Sequence, residues 1–333
     1  MRVRAGVAMD RRVASVVLKA PVWRELASVT ELAPLVLDDF GTVEARGVLA
    51  EVEVLVTGWG CPVLDAEVLG WAPRLRGVVH TAGSIKGHVT DACWARGVEV
   101  SSAAVANAVP VAEYTVAMVL LAGKRVLEAA REYKSARARG DWLWPDPLMG
   151  NYRRTVGVLS ASLIGRRVIE LLRPHDLDVL LYDPYVDEGE AAALGARKAE
   201  LGEVFAVSDV VSVHAPLLEA TRGLVSRELL AALRDDATVI NTARGAVVDQ
   251  EALTDEVRAG RLRAVLDVTE PEVLAADHPL WDCPNALLTP HIAGSQGNEL
   301  DRLADFAIAE VRRWVAGEGF AHGVRRDRKE FLA

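Results

Sequence analysis

Thr155-Val156-Gly157-Val158-Leu159-Ser160-Ala161-Ser162-Leu163-Ile164-Gly165 is the stretch that decides how this chain folds. Its first five residues read as a strand, and the residues from about Arg166 to Leu172 read as a helix. A strand that turns straight into a helix can bring backbone N–H groups to a pyrophosphate, usually through a G-x-G-x-x-G turn. Only the third glycine, Gly165, is present; Ser160 and Ser162 hold the first two positions, and Ser160 puts a Cβ into a tight turn. An ordinary strand–helix turn would look the same. Asp183 adds specificity, because it ends the next strand-like run, Leu181-Tyr182-Asp183-Pro184, 18 residues beyond Gly165. A carboxylate there accepts hydrogen bonds from the adenosine ribose hydroxyls and repels a 2′-phosphate, so NAD is expected rather than NADP.

Strands are predicted downstream at 178–182, 210–214, 238–242, 264–268 and 286–288, with helices filling most gaps. Six strands of this kind suit a doubly wound nucleotide-binding domain. Upstream, strands at 3–8, 34–37, 54–57, 77–80 and 98–101 alternate with helical runs such as 62–71 and 89–96, which predicts a smaller domain on a parallel sheet. A helical run from Pro110 to about Arg137 links the two, with Pro110 in its first turn. A Trp/Pro/Gly-rich stretch at 140–150 follows and reads as an exposed arm. The last helix, about 298–316, puts Leu300, Leu303, Ala304, Ala307, Ile308, Val311 and Val315 on one face and is expected to pack back on the first domain. The expected architecture is α/β: two Rossmann-like βα domains with parallel sheets. The cofactor domain, residues 110–298, is inserted in a substrate domain made of 1–109 and 299–333.

The 333 residues are 51% hydrophobic and carry a net charge of −9 without a basic block, which argues against nucleic acid and anionic membrane surfaces. Three widely spaced cysteines, Cys61, Cys93 and Cys283, fit a reduced, cytoplasmic setting. Met1-Arg2-Val3-Arg4 leads into no long apolar run, so no signal peptide is expected. The most apolar stretch, 114–123, is too short to span a bilayer and reads as a buried helix. No spacing among His, Cys, Asp and Glu suggests a metal site. Trp142 and Trp144 in the arm suggest a homodimer contact.

Three charged residues follow apolar strands, where open α/β sheets place their ligands. They are Arg244 in Asn241-Thr242-Ala243-Arg244-Gly245, Glu272 after Asp267-Val268-Thr269-Glu270-Pro271, and His291 in Thr289-Pro290-His291-Ile292-Ala293-Gly294. An Arg holds a carboxylate through two parallel hydrogen bonds. A His passes a proton near neutral pH, and a Glu beside it favours the charged form. Those parts suffice to reduce a 2-keto acid or oxidise a 2-hydroxy acid. His214 reads as structural support, and no role is assigned to His80, His88, His175, His278 or His322.

With these residues in order, the chain resembles the D-2-hydroxyacid dehydrogenases, a family that includes phosphoglycerate dehydrogenases and glyoxylate/hydroxypyruvate reductases. The resemblance runs from about Val54 to Val315. It is carried by Val111-Ala112-Glu113-Tyr114-Thr115, the turn at 156–168, Asp183, His214-Ala215-Pro216-Leu217 with Thr221, and residues 240–248, 266–272 and 288–294. It implies that Arg244 binds the substrate carboxylate and carbonyl, that His291 donates the proton during reduction, and that Glu272 keeps His291 protonated. Asp267 would contact the nicotinamide carboxamide. Thr115, Ser162, Leu163, Ile164, Ala215, Thr221, Thr242, Ala243, Ala293 and Gly294 would line the cofactor cleft with Asp183. The backbone of Gly83 and Ser84 would bind the substrate carboxylate as a nest.

The departures from the family are Ser160 for its usual Gly and Leu163 for its frequent Arg; Ser160 or Ser162 could give a hydroxyl to phosphate instead. Lys86, where many relatives have Asp, reads as solvated surface or as a contact for an anionic substrate tail. The resulting expectation is a D-specific, NAD-dependent dehydrogenase of a small 2-keto or 2-hydroxy acid. The alternatives are a non-catalytic dinucleotide-sensing or scaffold protein on the same fold, and a dehydrogenase of an unusual substrate such as a phosphonate or a biosynthetic intermediate.

Overall fold

The computed structural model describes residues 2–138 and 149–327; Trp142 and Trp144 lie outside the described residues. The chain forms two compact units, one of Met1–Asn107 with Ser295–Ala333 and one of Ala108–Gly294.

The first unit holds a five-stranded sheet of β1 (Arg4–Ala8), β2 (Glu31–Val36), β3 (Val54–Thr57), β4 (Gly77–His80) and β5 (Glu99–Ser102). Its order is β2-β1-β3-β4-β5, with every pair parallel. β3 and β4 are buried along their whole length, as a parallel sheet covered on both faces requires. The helix Leu300–Val315 covers one face, with Ala307, Ile308 and Val311 packed against Val7, Val54, Val56 and Val79. Each such buried Val or Ile is worth roughly 1.5–3 kcal/mol. Glu310 is buried in the same helix. Its carboxylate accepts from Ser101 Oγ at 2.5 Å, Ala321 N at 3.1 Å and His322 N at 3.2 Å, which satisfies it without a counter-ion.

The second unit holds a seven-stranded parallel sheet of β6 (Arg154–Leu159), β7 (Leu177–Tyr182), β8 (Arg197–Lys198), β9 (Val210–Val213), β10 (Thr238–Asn241), β11 (Arg263–Leu266) and β12 (Ala286–Leu288). The order β12-β11-β10-β9-β6-β7-β8 reverses between β6 and β9, the switch point where a doubly wound sheet opens a crevice. The sequence predicts six strands here. The seventh, β8, has two residues and leaves no period to read.

Two other expectations are corrected. The run expected from Pro110 is two helices, Ala104–Gly123 and Val126–Ala136, broken at Arg125 in the left-handed region with φ 48°. Pro110 lies inside the first helix rather than in its first turn. The helix starts earlier because Ser102 Oγ accepts from Ala104 N at 3.2 Å and Ala103 O from Asn107 N at 2.9 Å. Burial of Ala106, Ala108, Val111 and Ala112 then holds it through the proline. The helix has 20 residues, so it is long and apolar enough to cross a membrane by length and composition, against the shorter stretch expected. Ala112, Thr115 and Val119 are buried within the fold.

Candidate active site

The turn after β6 is built on strain that its neighbours hold in place. Ser160 has φ 81°, a conformation that costs a side-chain-bearing residue roughly 1–2 kcal/mol. Its N–H donates to Tyr182 O at 2.8 Å and its Oγ to Asp183 Oδ2 at 3.2 Å, while Ala161 N donates to the same Oδ2 at 2.8 Å. A Cβ at Gly165 would lie 2.0 Å from the Ser160 carbonyl oxygen, so the surviving glycine is required by close packing of helix on turn. The helix begins at Leu163, three residues earlier than expected, because Ser162 Oγ accepts from Gly165 N at 3.2 Å and caps it. The Ser160 hydroxyl is therefore turned to Asp183, whereas Ser162 keeps its own proton to give. Leu163 is exposed at the helix start and Ile164 is buried behind it. Asp183 Oδ1 accepts from Tyr185 N at 2.8 Å, so three of about four acceptor positions of this buried carboxylate are used and one remains.

At the end of β9, His214 is buried beside Ser212 Oγ, 2.8 Å from its Nε2. Burial depresses its pKa to about 3, which leaves it a neutral structural group. Ala215 is buried beside it. Thr221 Oγ1 donates to Pro216 O at 2.6 Å and accepts from Leu218 N at 2.8 Å, so this hydroxyl shapes its own loop.

β10 presents Arg244. Asn241 Oδ1 accepts from Ala243 N at 3.0 Å and its Nδ2 donates to Arg244 O at 2.9 Å, which locks the turn. Thr115 Oγ1 gives its proton to Val111 O at 2.8 Å, so Thr242 is the donor in the 3.1 Å contact between the two threonine hydroxyls. Arg244 is half-buried and donates through Nη1 to Ala243 O at 2.6 Å. Among the described residues, no carboxylate forms an ion pair with it. Burial lowers its pKa and the charge of Glu272 opposes that, but a guanidinium remains charged throughout. A half-buried cation with donors to spare is suited to an anionic ligand.

The loops after β11 and β12 bring Glu272 and His291 together. His291 Nδ1 lies 2.5 Å from Glu272 Oε1, and a carboxylate can only accept, so Nδ1 carries a proton. The His291 backbone is left-handed, φ 54°, and its N–H is shared between Asp267 O and Thr289 O, each at 3.0 Å. Buried Asp267 clamps the loop: Oδ1 accepts from Thr289 Oγ1 at 2.6 Å and Ile292 N at 2.8 Å, and Oδ2 accepts from Ala293 N at 2.9 Å. Thr289 spends its proton on Asp267, so Tyr114 is the donor in the 2.9 Å Tyr114–Thr289 contact. Burial raises the Tyr114 pKa, which keeps that proton in place. One of the about four acceptor positions of Asp267, on Oδ2, is left over. Ala293 and Gly294 close the loop and end the unit. Tyr114, Thr289 and Asn241 lie in stretches that carry the resemblance, but what each one holds shows only in the partners found here.

In the first unit, Gly83 and Ser84 follow β4. Ser102 Oγ donates to Gly83 O at 2.6 Å and to Ala82 O at 3.0 Å, which pins the carbonyls on one side. Among the described residues, the N–H groups of Gly83 and Ser84 meet no acceptor. Below them His80 Nδ1 and His88 Nε2 share Thr57 Oγ1 at 3.0 and 3.2 Å. Burial lowers the pKa of both rings, that of His88 to about 4. A separate cavity of about 140 Å³ lies at the amino ends of β6, β9 and β10, where Arg154 pairs with Asp209 at 2.9 Å and Arg125 with Asp236 at 3.1 Å.

A family model described as D-isomer specific 2-hydroxyacid dehydrogenase, NAD binding domain, matches residues 116–293. The chain is 34% identical over 267 residues to D-3-phosphoglycerate dehydrogenase of Mycobacterium leprae, a match covering 79% of this chain and 49% of that protein. It is 31% identical over 258 residues to glyoxylate reductase of Korarchaeum cryptofilum, covering 77% of each. The chain thus spans about half the length of the phosphoglycerate dehydrogenase it matches. The TT0316 protein from Thermus thermophilus superposes with a TM-score of 0.75 at 27% identity, over 97% of this chain and 100% of that one. Matched over more than half its length by that model, and carrying the switch-point turn and both parallel sheets, this chain belongs to the D-isomer specific 2-hydroxyacid dehydrogenase family.

Proposed function

We propose that this chain transfers a hydride between NAD(H) and a small 2-keto or 2-hydroxy acid of D configuration. The observation that carries the reading is the His291–Glu272 pair at 2.5 Å beside the half-buried Arg244, which forms no ion pair among the described residues. The second unit fits the cofactor: the helix starting at Leu163 opens at the switch point against Gly165, and Asp183 keeps an acceptor for a ribose hydroxyl. When bound, the nicotinamide ring supplies or accepts the hydride. Arg244 holds the carboxylate of the acid and polarises its carbonyl. His291 Nε2 gives its proton to the carbonyl oxygen in reduction and takes it back in oxidation, while Glu272 fixes the ring at Nδ1.

Initial rates over glyoxylate, hydroxypyruvate, pyruvate and phosphorylated keto acids test it with each cofactor. At least one acid is expected to turn over, with a higher kcat/KM for NADH than for NADPH because Asp183 repels a 2′-phosphate. Loss of all turnover in a folded chain that also fails to bind NADH would overturn it.

Ser160→Gly is expected to tighten NADH binding. The change removes the strained Cβ and releases Asp183 Oδ2 from the hydroxyl, and one hydrogen bond is worth roughly 0.5–1.5 kcal/mol, or about 2–10-fold. Calorimetric titration of both proteins measures it; weaker binding in the variant would mean that the Ser160 hydroxyl serves the cofactor.

We also read the protein as a cytoplasmic homodimer. Its three cysteines are free thiols. No residue of the helix Val126–Ala136 is fully buried, as expected of a surface that a second copy covers. Sedimentation equilibrium gives the mass that decides this.

A further inference from the structure

Gln250 is the first residue of the helix Gln250–Arg258, directly after its N-cap Asp249. Its side-chain amide makes two hydrogen bonds to one residue's backbone: Nε2 donates to Glu270 O at 2.7 Å and Oε1 accepts from Glu270 N at 2.8 Å. The pairing copies what an adjacent strand would offer, at a point where the chain has left β11 and has no strand beside it. Two residues later comes Glu272, whose carboxylate meets His291. The same segment is held by Thr269 Oγ1, which donates to Pro271 O at 2.7 Å and Glu272 O at 3.0 Å.

We propose that Gln250 is a positioning residue for the acid–base pair: it fixes the backbone at Glu270 so that the Glu272 carboxylate reaches His291 Nδ1. This rests on the functional reading above. The chemistry is specific to a primary amide of this length. A donor and an acceptor must sit side by side, and a primary amide carries both on one planar group whatever the pH. A carboxylate of the same shape can still accept from Glu270 N but sets an oxygen against Glu270 O. At the helix N-terminus that carboxylate is favourable for the fold, because it complements the helix dipole. Stability and positioning are therefore separated by a single substitution.

Gln250→Glu is expected to keep its melting temperature and its affinity for NADH. Its kcat is expected to fall roughly tenfold, since a 1 Å misplacement at a reacting centre costs on the order of 100-fold. In a Glu272→Gln background the same change is expected to cost less than about twofold, because residues that act through one another do not add. Equal losses in both backgrounds, or a loss that follows the melting temperature, would overturn the proposal. A second measurement needs no substrate: hydrogen exchange at the Glu270 amide is expected to accelerate in Gln250→Ala. Unchanged exchange sinks the positioning claim alone, whereas a wild-type chain inert toward every acid sinks the functional reading and leaves the exchange result standing.

Discussion

His291→Asn is expected to lower kcat by at least about 100-fold while NADH binds as before, because general acid catalysis contributes typically 10²–10⁴-fold. Asparagine is the informative replacement. His291 sits at φ 54°, and Asn tolerates the left-handed region better than other side chains that cannot pass a proton. The loop therefore keeps its shape: the residue 291 N–H still reaches Asp267 O and Thr289 O, and Asp267 still holds Ile292 and Ala293. What is lost is the ring that Glu272 orients and the proton at its far nitrogen. Steady-state rates with a fluorescence titration of NADH separate the two effects. Turnover within tenfold of wild type would remove His291 from the chemistry.

Gly245→Ala is expected to damage stability and activity together. A Cβ at this position would stand 2.1 Å from the Thr269 carbonyl carbon, 2.2 Å from its oxygen and 2.6 Å from Glu270 N. All three are backbone atoms, so no side chain can swing aside. Overpacking of this kind costs roughly 1–3 kcal/mol, and a unit of this size loses about 2–4 °C of melting temperature per kcal/mol. The atoms that must move join Arg244 on one side to Glu272 on the other. The substrate KM is expected to rise and kcat to fall in the same variant. Calorimetric melting and the two kinetic constants measure it. An unchanged melting temperature would mean that the two segments are not in contact.

The alternation of apolar runs with helical ones shows both parallel sheets in the sequence, because strands buried on two faces are continuously apolar. β3, β4, β9 and β10 are legible for that reason. Gly165 and Asp183 could be placed because a strand–turn–helix and the end of the next strand keep a fixed spacing along the chain. Arg244 and His291 could be named because each follows an apolar strand run, and Glu272 by its spacing from Asp267 in the family it resembles. β8 was hidden because two residues have no period, and the true start of the helix Ala104–Gly123 because burial outweighed the local signal of Pro110.

What the tertiary structure decided is the set of pairings across long sequence separations. The Ser160 hydroxyl goes to Asp183 and not outward, Asp267 clamps the His291 loop, Tyr114 reaches Thr289 across 175 positions, and Gln250 grips Glu270. A hydroxyl, an amide or a carboxylate can accept any of several partners. Which one it takes depends on a distance good to a few tenths of an ångström, and that distance is set by packing of the whole unit rather than by neighbours along the chain.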